Sequence, residues 1–313
     1  MKLISFAIDG GVHIGALLPG EASLSDFTAG AAGAPWSIDM LALIDGGEWA
    51  LDAARALAAR PVVERPLDAV RLLAPVPVPR QMYDCLTFEK HLMQARANRH
   101  LVVGESGAAP LSALSPVFKE RPVYYKPNRF SVVGTGTDVI CPRYCDWFDY
   151  ELEFGVFLGR SGKDIPRDEA GDHIFGYTIF NDFSARDQQY REMPAMLGPS
   201  KGKDFDTGNA MGPWLVTADE IPNAQALTMT TILNGQVRAV GSSADMMHTF
   251  EDIIAYASVD ETLHAGEFFA SGTVGGGCGL EHGQRLRHGD VIELEVSGLG
   301  RLSNRVVIPA EAG

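Results

Sequence analysis

The sequence predicts a β-rich α+β fold in which a small N-terminal domain precedes a larger one. From about position 80 onward, short apolar runs are separated by Gly, Pro, Asn and Asp at close intervals, which is typical of short strands joined by turns. Helical spacing of apolar residues occurs in few segments, and these do not alternate with strands as they would in βαβ units. The 313 residues suffice for one large domain or two smaller ones.

The first 75 residues predict a small N-terminal α/β domain. Two apolar runs at 5–8 and 12–17 flank an Asp-Gly-Gly turn, and this pattern predicts a β-hairpin. The run at 70–79 contains prolines at alternate positions, which provide no donor to a sheet ladder, so this run cannot form a central strand. We interpret it as the connector to a larger domain at 76–313.

Further helices and strands follow from the periodicity of apolar residues. Residues 37–59 are rich in Ala and Leu at helical spacing, interrupted at Gly46-Gly47, and Ser37 or Asp39 is a candidate N-cap. Apolar runs predict strands at 152–158, 174–180, 228–233 and 291–296. Shorter helices are predicted at 88–99, 184–192 and 249–258.

The formal net charge of −14 argues against nucleic acids and anionic membranes as partners, because both attract a basic surface. An anionic substrate stays compatible with this charge, since a bound cation can reverse the local field. No apolar stretch approaches the length of a membrane span, and the N-terminus becomes polar too early for a signal peptide. We therefore expect a cytoplasmic protein whose four cysteines are free thiols.

The most informative segment is DWFDYELEFGVFLG at 146–159. Glu151 and Glu153 occupy alternate positions in a strand-like run, so both carboxylates should point to one face of the strand. The apolar run that ends at Asn181-Asp182 adds a third carboxylate at a strand end. Three oxygen donors without a nearby His or Cys suit a hard cation such as Mg²⁺, Mn²⁺ or Ca²⁺. The same spacing also fits a solvated strand face followed by an Asp turn.

The order of motifs resembles that of the fumarylacetoacetate hydrolase family. The resemblance covers about 80–310 and rests on Glu151-Leu152-Glu153, Asn181 to Asp187, Lys203 to Thr207, Gly212-Pro213-Trp214, Asn234-Gly235, Ser271-Gly272-Thr273 and Gly289 to Glu295. It implies a mixed β-roll or β-sandwich catalytic domain, one bound Mg²⁺ (or Ca²⁺ or Mn²⁺), and a homodimer. Several features are nearer the fumarylacetoacetase branch of the family.

The resemblance also implies a set of metal ligands. Glu151 and Glu153 match the family's ExE ligands, and Asp182 matches the Asp of its NDxSARD motif. Asp84, seven residues before His91, is similar to the additional aspartate ligand of the fumarylacetoacetase branch.

Three further residues resemble the family's catalytic groups. His91 is similar to its basic histidine, and Lys203 matches its catalytic lysine. In many bacterial members a Glu three residues after the histidine pairs with it, but Gln94 occupies that position here. Glu281 is similar to the carboxylate that replaces this partner in the fumarylacetoacetase branch, so we expect a His91–Glu281 pair.

The resemblance implies substrate contacts at Tyr125, Gln189 and Thr273, with the Thr273 hydroxyl binding the substrate carboxylate. No arginine stands where a second carboxylate anchor is expected, although Arg96 and Arg99 lie on the same predicted helix as the histidine.

Together these residues suit chemistry on a small keto acid. A divalent cation could bind both oxygens of a 2-oxo acid and hold its enolate, while His91 activates water and Lys203 stabilises the developing oxyanion. We expect a hydrolase that cleaves a carbon–carbon bond in a fumarylacetoacetate-like or acylpyruvate-like diketo acid through a metal-bound enolate. Two alternatives stay open: an isomerase, decarboxylase or hydratase of a 2-hydroxy-dienoate or 2-oxo acid in aromatic degradation, and a non-catalytic module that binds a metal and a keto acid.

The sequence does not name the substrate, because specificity is expected to depend on loops such as 92–120 and 190–200. The stretch at about 104–116, rich in Gly, Ala and Ser, predicts a lid. The N-terminal domain is expected to support the dimer or to cover the active site.

Overall fold

The computed structural model describes residues 1–104 and 114–310, so most of the predicted lid at 104–116 lies outside the described residues. The N-terminal part contains strands β1 (Lys2–Ile8), β2 (Gly11–Leu17) and β3 (Ser23–Asp26), helices α1 (Phe27–Gly30), α2 (Met40–Asp45) and α3 (Gly47–Ala59), and strands β4 (Glu64–Pro66) and β5 (Arg71–Leu72).

The rest of the chain adds four helices and fourteen strands to the described structure. The helices are α4 (Glu89–Val103), α5 (Val117–Glu120), α6 (Arg186–Glu192) and α7 (Phe250–Ala257). The strands are β6 (Met82–Cys85), β7 (Tyr124–Tyr125), β8 (Val132–Val133), β9 (Val139–Ile140), β10 (Phe148–Asp149), β11 (Leu152–Leu158), β12 (Ile174–Asp182), β13 (Ser184–Ala185), β14 (Asn209–Thr217), β15 (Thr228–Leu233), β16 (Gln236–Ser242), β17 (Phe268–Ala270), β18 (Val291–Val296) and β19 (Gly300–Val307).

One large sheet of twelve strands runs through both parts of the chain. Its main path is β4-β3-β2-β1-β14-β12-β11-β17-β6-β7, with β5 paired to β1 and β8 to β14. The junction between the parts is the antiparallel pair β1–β14, in which Leu3 lies opposite Leu215. The division into domains at position 75 stays a prediction, but the N-terminal hairpin continues the sheet of the remaining chain.

A second sheet of five strands, in the order β16-β15-β18-β19-β9, packs against the large sheet. Buried side chains of both sheets and of α7 form one apolar cluster, in which Phe154 of β11 meets the Phe250 ring edge-on, with centroids 5.0 Å apart. The architecture is therefore β-rich, with mixed sheets and few helices, and the predicted fold class is confirmed.

Most predicted elements are observed, with shifts at their ends. The hairpin forms β1 and β2, and the predicted strands at 228–233 and 291–296 have the observed bounds. The helix predicted at 37–59 is two helices that meet at Gly46, and Asp39 rather than Ser37 caps the first by accepting from Ala42 N at 2.8 Å. The predicted connector contains the short strand β5. Throughout the described ranges, every helix is too short or too polar to cross a bilayer.

Helix α4 is positioned by its end and by one side chain. It ends at Gly104, whose positive φ of 72° supplies the left-handed conformation that terminates helices. Asn98 donates to the carbonyl oxygens of Leu280 and Glu281, at 2.9 and 3.1 Å. These bonds fix α4 against the turn at Leu280–His282, so residues of the first turn of α4 face the interior beside that turn.

Asp26 is the buried polar centre of the N-terminal part. Its carboxylate caps α1 through Ala29 N at 2.9 Å, and it also accepts from Arg65 Nε at 2.6 Å and meets His13 Nδ1 at 2.9 Å. Burial raises the pKa of Asp26, but the hydrogen bonds from Ala29, Arg65 and His13 outweigh it and hold the pKa below its usual value. The ionised side chain therefore stabilises the folded state.

We expect Asp26→Asn to lower the free energy of unfolding by about 1–3 kcal/mol at neutral pH, because buried donors lose their charged acceptor. A depressed folded-state pKa gives stability above the ordinary aspartate value of about 4, and this stability is lost as the pH falls through the folded pKa. Urea unfolding at neutral and acidic pH, with the exposed Asp52→Asn as control, would measure this. Equal losses at both pH values would contradict the assignment.

Candidate active site

A cavity of about 330 Å³ opens where α4 and α6 cover the large sheet. Eight of the ten residues predicted from the sequence line it: Asp84, His91, Tyr125, Glu151, Glu153, Asp182, Gln189 and Lys203. The other two, Thr273 and Glu281, contact lining residues from behind. The structure therefore brings the predicted residues together, and their roles stay predictions.

Three carboxylates meet at the floor of the cavity. Asp84 lies on β6, Glu153 on β11 and Asp182 at the end of β12, and one oxygen of each lies within 4.8 Å of the other two. Glu153 accepts from Gly272 N at 2.9 Å and from Thr273 Oγ1 at 3.2 Å. Asp182 Oδ1 is buried without a hydrogen-bond partner in the described structure. An unpaired buried oxygen among three acids is the arrangement that a bound cation would satisfy.

A glycine allows the close contact between two backbone segments behind Glu153. Gly272 has a φ of +82°, and a Cβ at this position would lie 2.3 Å from the carbonyl oxygen of Cys85. Any larger residue would therefore displace the backbone whose N–H holds Glu153, so this glycine fixes one of the three carboxylates.

The pKa values of the three acids reflect their crowding. Burial raises the pKa of Asp84 well above its usual value, and the charges of Glu153 and Asp182 raise it further. Burial and the neighbouring acids likewise raise the pKa of Glu153, and burial raises that of Asp182. The group therefore requires positive charge to be fully ionised. Hard oxygen donors suit Mg²⁺, Mn²⁺ or Ca²⁺, so Asp84, Glu153 and Asp182 fit a divalent cation.

Glu151, predicted as a fourth ligand, is bound to two cationic side chains. Its Oε1 accepts from Arg186 Nη2 at 2.7 Å, and its Oε2 accepts from Lys203 Nζ at 2.6 Å. Burial raises the pKa of Glu151, but Arg186 and Lys203 outweigh it and bring the pKa below its usual value. Glu151 is thus a permanent carboxylate beside the three-acid group, and its role as a ligand stays a prediction.

Lys203 joins Glu151 to the three-acid group. Its Nζ donates to Glu151, to the Asp182 carboxylate, and to the Asp182 carbonyl oxygen at 3.3 Å. Burial lowers the pKa of Lys203, but Asp182 and Glu151 outweigh it and raise the pKa above its usual value. Tyr125 OH donates to Asp182 Oδ2 at 2.7 Å, the same oxygen that Lys203 binds. The other oxygen, Asp182 Oδ1, is therefore available to a ligand at the cavity floor.

His91 lies in the first turn of α4 and is buried between two carboxylates. Its Nδ1 is 3.5 Å from Glu281 Oε1, and its Nε2 is 3.6 Å from Glu151 Oε1. Glu281 also accepts from the backbone N–H groups of Gly276 and Cys278, each at 3.0 Å. Burial raises the pKa of Glu281, but His91 and these N–H groups outweigh it and lower the pKa. The expected pairing of His91 with Glu281 is present.

The predicted substrate contacts have different surroundings. Gln189 Oε1 accepts from Arg186 Nη1 at 3.2 Å and lines the cavity. Thr273 donates to Glu153 and is not among the lining residues, so its hydroxyl supports the acid rather than facing the cavity. Arg96, at the cavity rim, is exposed and lies over the Phe118 ring at 5.7 Å.

Two buried charged residues of the site, Arg186 and Asp149, are not predicted from the sequence. Arg186 Nε donates to Asp149 Oδ2 at 2.8 Å while Arg186 Nη2 binds Glu151. Asp149 accepts from Gly279 N at 2.7 Å and Leu280 N at 3.1 Å, and so fixes the turn that carries Glu281. Arg186 stands inside the NDFSARD motif and could have been noticed there, whereas Asp149 gives no signal in the sequence.

Comparisons with known proteins identify relatives of this chain. Residues 92–307 match the family model of the fumarylacetoacetate hydrolase C-terminal region. The chain is 33% identical over 245 residues to the oxaloacetate tautomerase YisK of Bacillus subtilis, covering 77% of this chain and 74% of that protein.

Two solved structures share the fold. A fumarylacetoacetate hydrolase from Exiguobacterium antarcticum superposes with a TM-score of 0.75 at 28% identity, covering 99% of this chain and 100% of that chain. A maleylpyruvate hydrolase from Sphingobium, solved with a manganese(II) ion and pyruvate, gives a TM-score of 0.75 at 22% identity and the same coverage.

We expect Asp84→Asn to weaken Mn²⁺ binding by at least about tenfold, as loss of even an indirect metal contact does. The same change should raise the melting temperature of the metal-free protein, because an amide replaces a buried carboxyl group whose ionisation the neighbouring acids oppose. Calorimetric titration and thermal unfolding, with and without Mn²⁺, measure both effects. Asp206→Asn, an exposed loop residue, is the matched control. Unchanged Mn²⁺ affinity in Asp84→Asn would exclude this residue as a ligand.

Proposed function

The chain belongs to the fumarylacetoacetate hydrolase family, and we propose that it catalyses proton transfer between carbon and oxygen in a small 2-oxo acid, as a tautomerase or isomerase. The observation that carries the proposal is the buried His91 imidazole, which faces Glu281 on one side and Glu151 on the other and lines the same cavity as the three-acid group.

The three-acid group and its neighbours bind the oxo-acid end of the substrate. A divalent cation held by Asp84, Glu153 and Asp182 would polarise the adjacent carboxylate and carbonyl oxygens and acidify the neighbouring C–H. Lys203 stays an ammonium ion beside these carboxylates, and its positive charge would stabilise negative charge that develops on the carbonyl oxygen.

His91 is the acid–base group. Its imidazole takes the proton from the carbon beside the carbonyl, the C–H electron pair forms the carbon–carbon double bond, and the carbonyl π pair moves to oxygen. The proton then returns to oxygen, or to another carbon in an isomerisation. Glu281, fixed by two backbone N–H groups, holds the ring in one orientation and stabilises its protonated form.

Similarity to a tautomerase supports this reaction. The match to the Bacillus subtilis oxaloacetate tautomerase extends over about three quarters of each chain. Proton transfer beside a carbonyl requires one base and a stabilised enol oxygen, and His91 and Lys203 supply both. The use of Mg²⁺ or Mn²⁺, the homodimer, the cytoplasmic location and the fumarylacetoacetase branch stay predictions.

A second candidate is the hydrolysis of a carbon–carbon bond, as we expect from the sequence. The His91–Glu281 pair favours it, since an oriented imidazole can also take a proton from water. Water would then add to a second carbonyl of a diketo acid, the carbon–carbon bond would break, and the electron pair would leave as an enol. Similarity to the Exiguobacterium antarcticum hydrolase supports this alternative.

We expect the Mn²⁺-loaded protein to speed the conversion of phenylpyruvate, a 2-oxo acid with an aryl tail, from its enol to its keto form, followed by ultraviolet absorbance, and to exchange the C–H hydrogen beside the carbonyl for deuterium. His91→Asn should lower kcat by about a hundredfold or more, the usual contribution of an acid–base group. His100→Asn changes a histidine on the same helix outside the cavity and should retain activity.

The products of an acylpyruvate panel separate the two candidates. Exchange without cleavage would support the tautomerase or isomerase, and release of two acids would support the hydrolase. Absence of both exchange and cleavage on every 2-oxo acid in the presence of Mn²⁺ would overturn the proposed function.

A further inference from the structure

We infer that the substrate carries an apolar acyl or aryl tail rather than a second carboxylate. This inference rests on the proposed function, because it concerns the part of the cavity beyond the oxo-acid group. A cavity of about 330 Å³ lies at the lower end of the range of about 300–1,000 Å³ that holds larger ligands, so the oxo-acid group would fill only part of it.

The cavity has two chemically different halves. Its floor contains the three acids together with Glu151, Lys203, Arg186 and His91. The remaining wall is mainly apolar, and its principal side chains are Leu86, Leu92, Ala95, Phe118, Val123 and Met193. An amphipathic ligand, charged at one end only, matches this division.

The apolar wall begins directly beside the proposed base. Ala95 follows His91 by one helical turn on α4, so both lie on the same face of the helix. Across the cavity, the chain runs from Tyr125, whose hydroxyl binds Asp182, back to Val123. A tail attached to the reacting carbon would therefore run between α4 and the segment before β7.

Within the described part of the cavity, a second carboxylate would find no buried permanent cation that is not already paired. Arg186 and Lys203 are already paired with carboxylates at the floor. Among the described lining residues, the remaining permanent cation is Arg96, which is solvent-exposed at the rim over the Phe118 ring. Exposed charge pairs contribute little to binding, and a carboxylate buried without a partner is strongly unfavourable. Tyrosine hydroxyls on the wall offer hydrogen bonds but no charge.

The inference separates this chain from a relative whose substrate is oxaloacetate, which carries a carboxylate at each end. Each methylene buried against the wall should increase affinity by about fourfold, the equivalent of about 0.8 kcal/mol. A carboxylate at the same place would not provide this increase in affinity, and it would have to lose its hydration on binding.

N-alkyl oxamates of increasing chain length are suitable probes, because they imitate a 2-oxo acid and do not react. Calorimetric titration of the Mn²⁺-loaded protein should show affinity rising by about fourfold per methylene until the wall is filled. A matched series that ends in a carboxylate should bind more weakly at equal length. Tighter binding of the carboxylate series, abolished by Arg96→Met, would overturn the inference.

Two methionines provide a matched pair of variants. Met193 lines the cavity and is 45% exposed, whereas Met196, three residues on, is 89% exposed and is not among the lining residues. Met193→Ala should lower affinity for the longest alkyl oxamate by about fivefold and leave the shortest within twofold, as expected for the loss of one to two methylene contacts. Met196→Ala should change neither. If both variants behave alike, the wall does not bind the tail.

The binding results are independent of turnover. Tail-dependent binding without turnover of any 2-oxo acid would overturn the proposed function alone, and turnover with no dependence on tail length would overturn the tail alone. If no oxamate binds and no 2-oxo acid turns over in the presence of Mn²⁺, both proposals fail. Val123→Thr keeps the side-chain shape but replaces one methyl group with a hydroxyl. This variant should selectively lower the affinity for the longest alkyl oxamate while the melting temperature of the protein is unchanged.

Discussion

The burial of three carboxylates side by side is the constraint on which the rest of the site depends. Two unit charges about 4 Å apart repel by about 4 kcal/mol at an effective dielectric constant of 20. Asp84, Glu153 and Asp182 form three pairs whose facing oxygens lie within 4.8 Å of one another, and a folded domain is stable by only about 5–15 kcal/mol. The fold can keep all three ionised only with added positive charge. Lys203 supplies one positive charge from the side, and among the described residues Asp182 Oδ1 has no hydrogen-bond partner, so the arrangement fits a divalent cation.

Alternating charges connect this floor to the base. Asp149, Arg186, Glu151, Lys203 and Asp182 follow one another through direct contacts, and they come from β10, α6, the approach to β11, a loop and β12. Asp149 also holds the turn that carries the partner of the imidazole. One continuous network therefore fixes the oxygens that would receive the cation and the carboxylates on both sides of the base. Such networks act as units, so the loss of one member affects its neighbours.

The sequence predicts those parts of the site that depend on local periodicity. Period-two spacing and a strand end were enough to select Glu153 and Asp182. Asp84 and Glu281 came only from the family resemblance, because β17 separates β6 from β11 and no local pattern predicts this order of strands. Sequence spacing groups Glu151 with Glu153, but it does not predict that Glu151 forms ion pairs with Arg186 and Lys203. Both partners lie more than thirty positions away in the sequence. Long-range pairing of buried charges is the part of the site that composition and spacing cannot predict.

The apolar wall beside His91 bears on the choice between proton transfer and hydrolysis. A bound water needs about two to four polar partners, and Leu92 and Ala95 next to the imidazole supply none. Water for hydrolysis would need polar partners elsewhere in the cavity, such as Glu151 and Lys203 at the floor, where the oxo-acid oxygens also have to bind. A C–H group has no such requirement and can lie against apolar side chains while its proton meets the ring. The same floor can stabilise an enol in either reaction, but this wall makes proton transfer from carbon the step that needs the fewest additional groups.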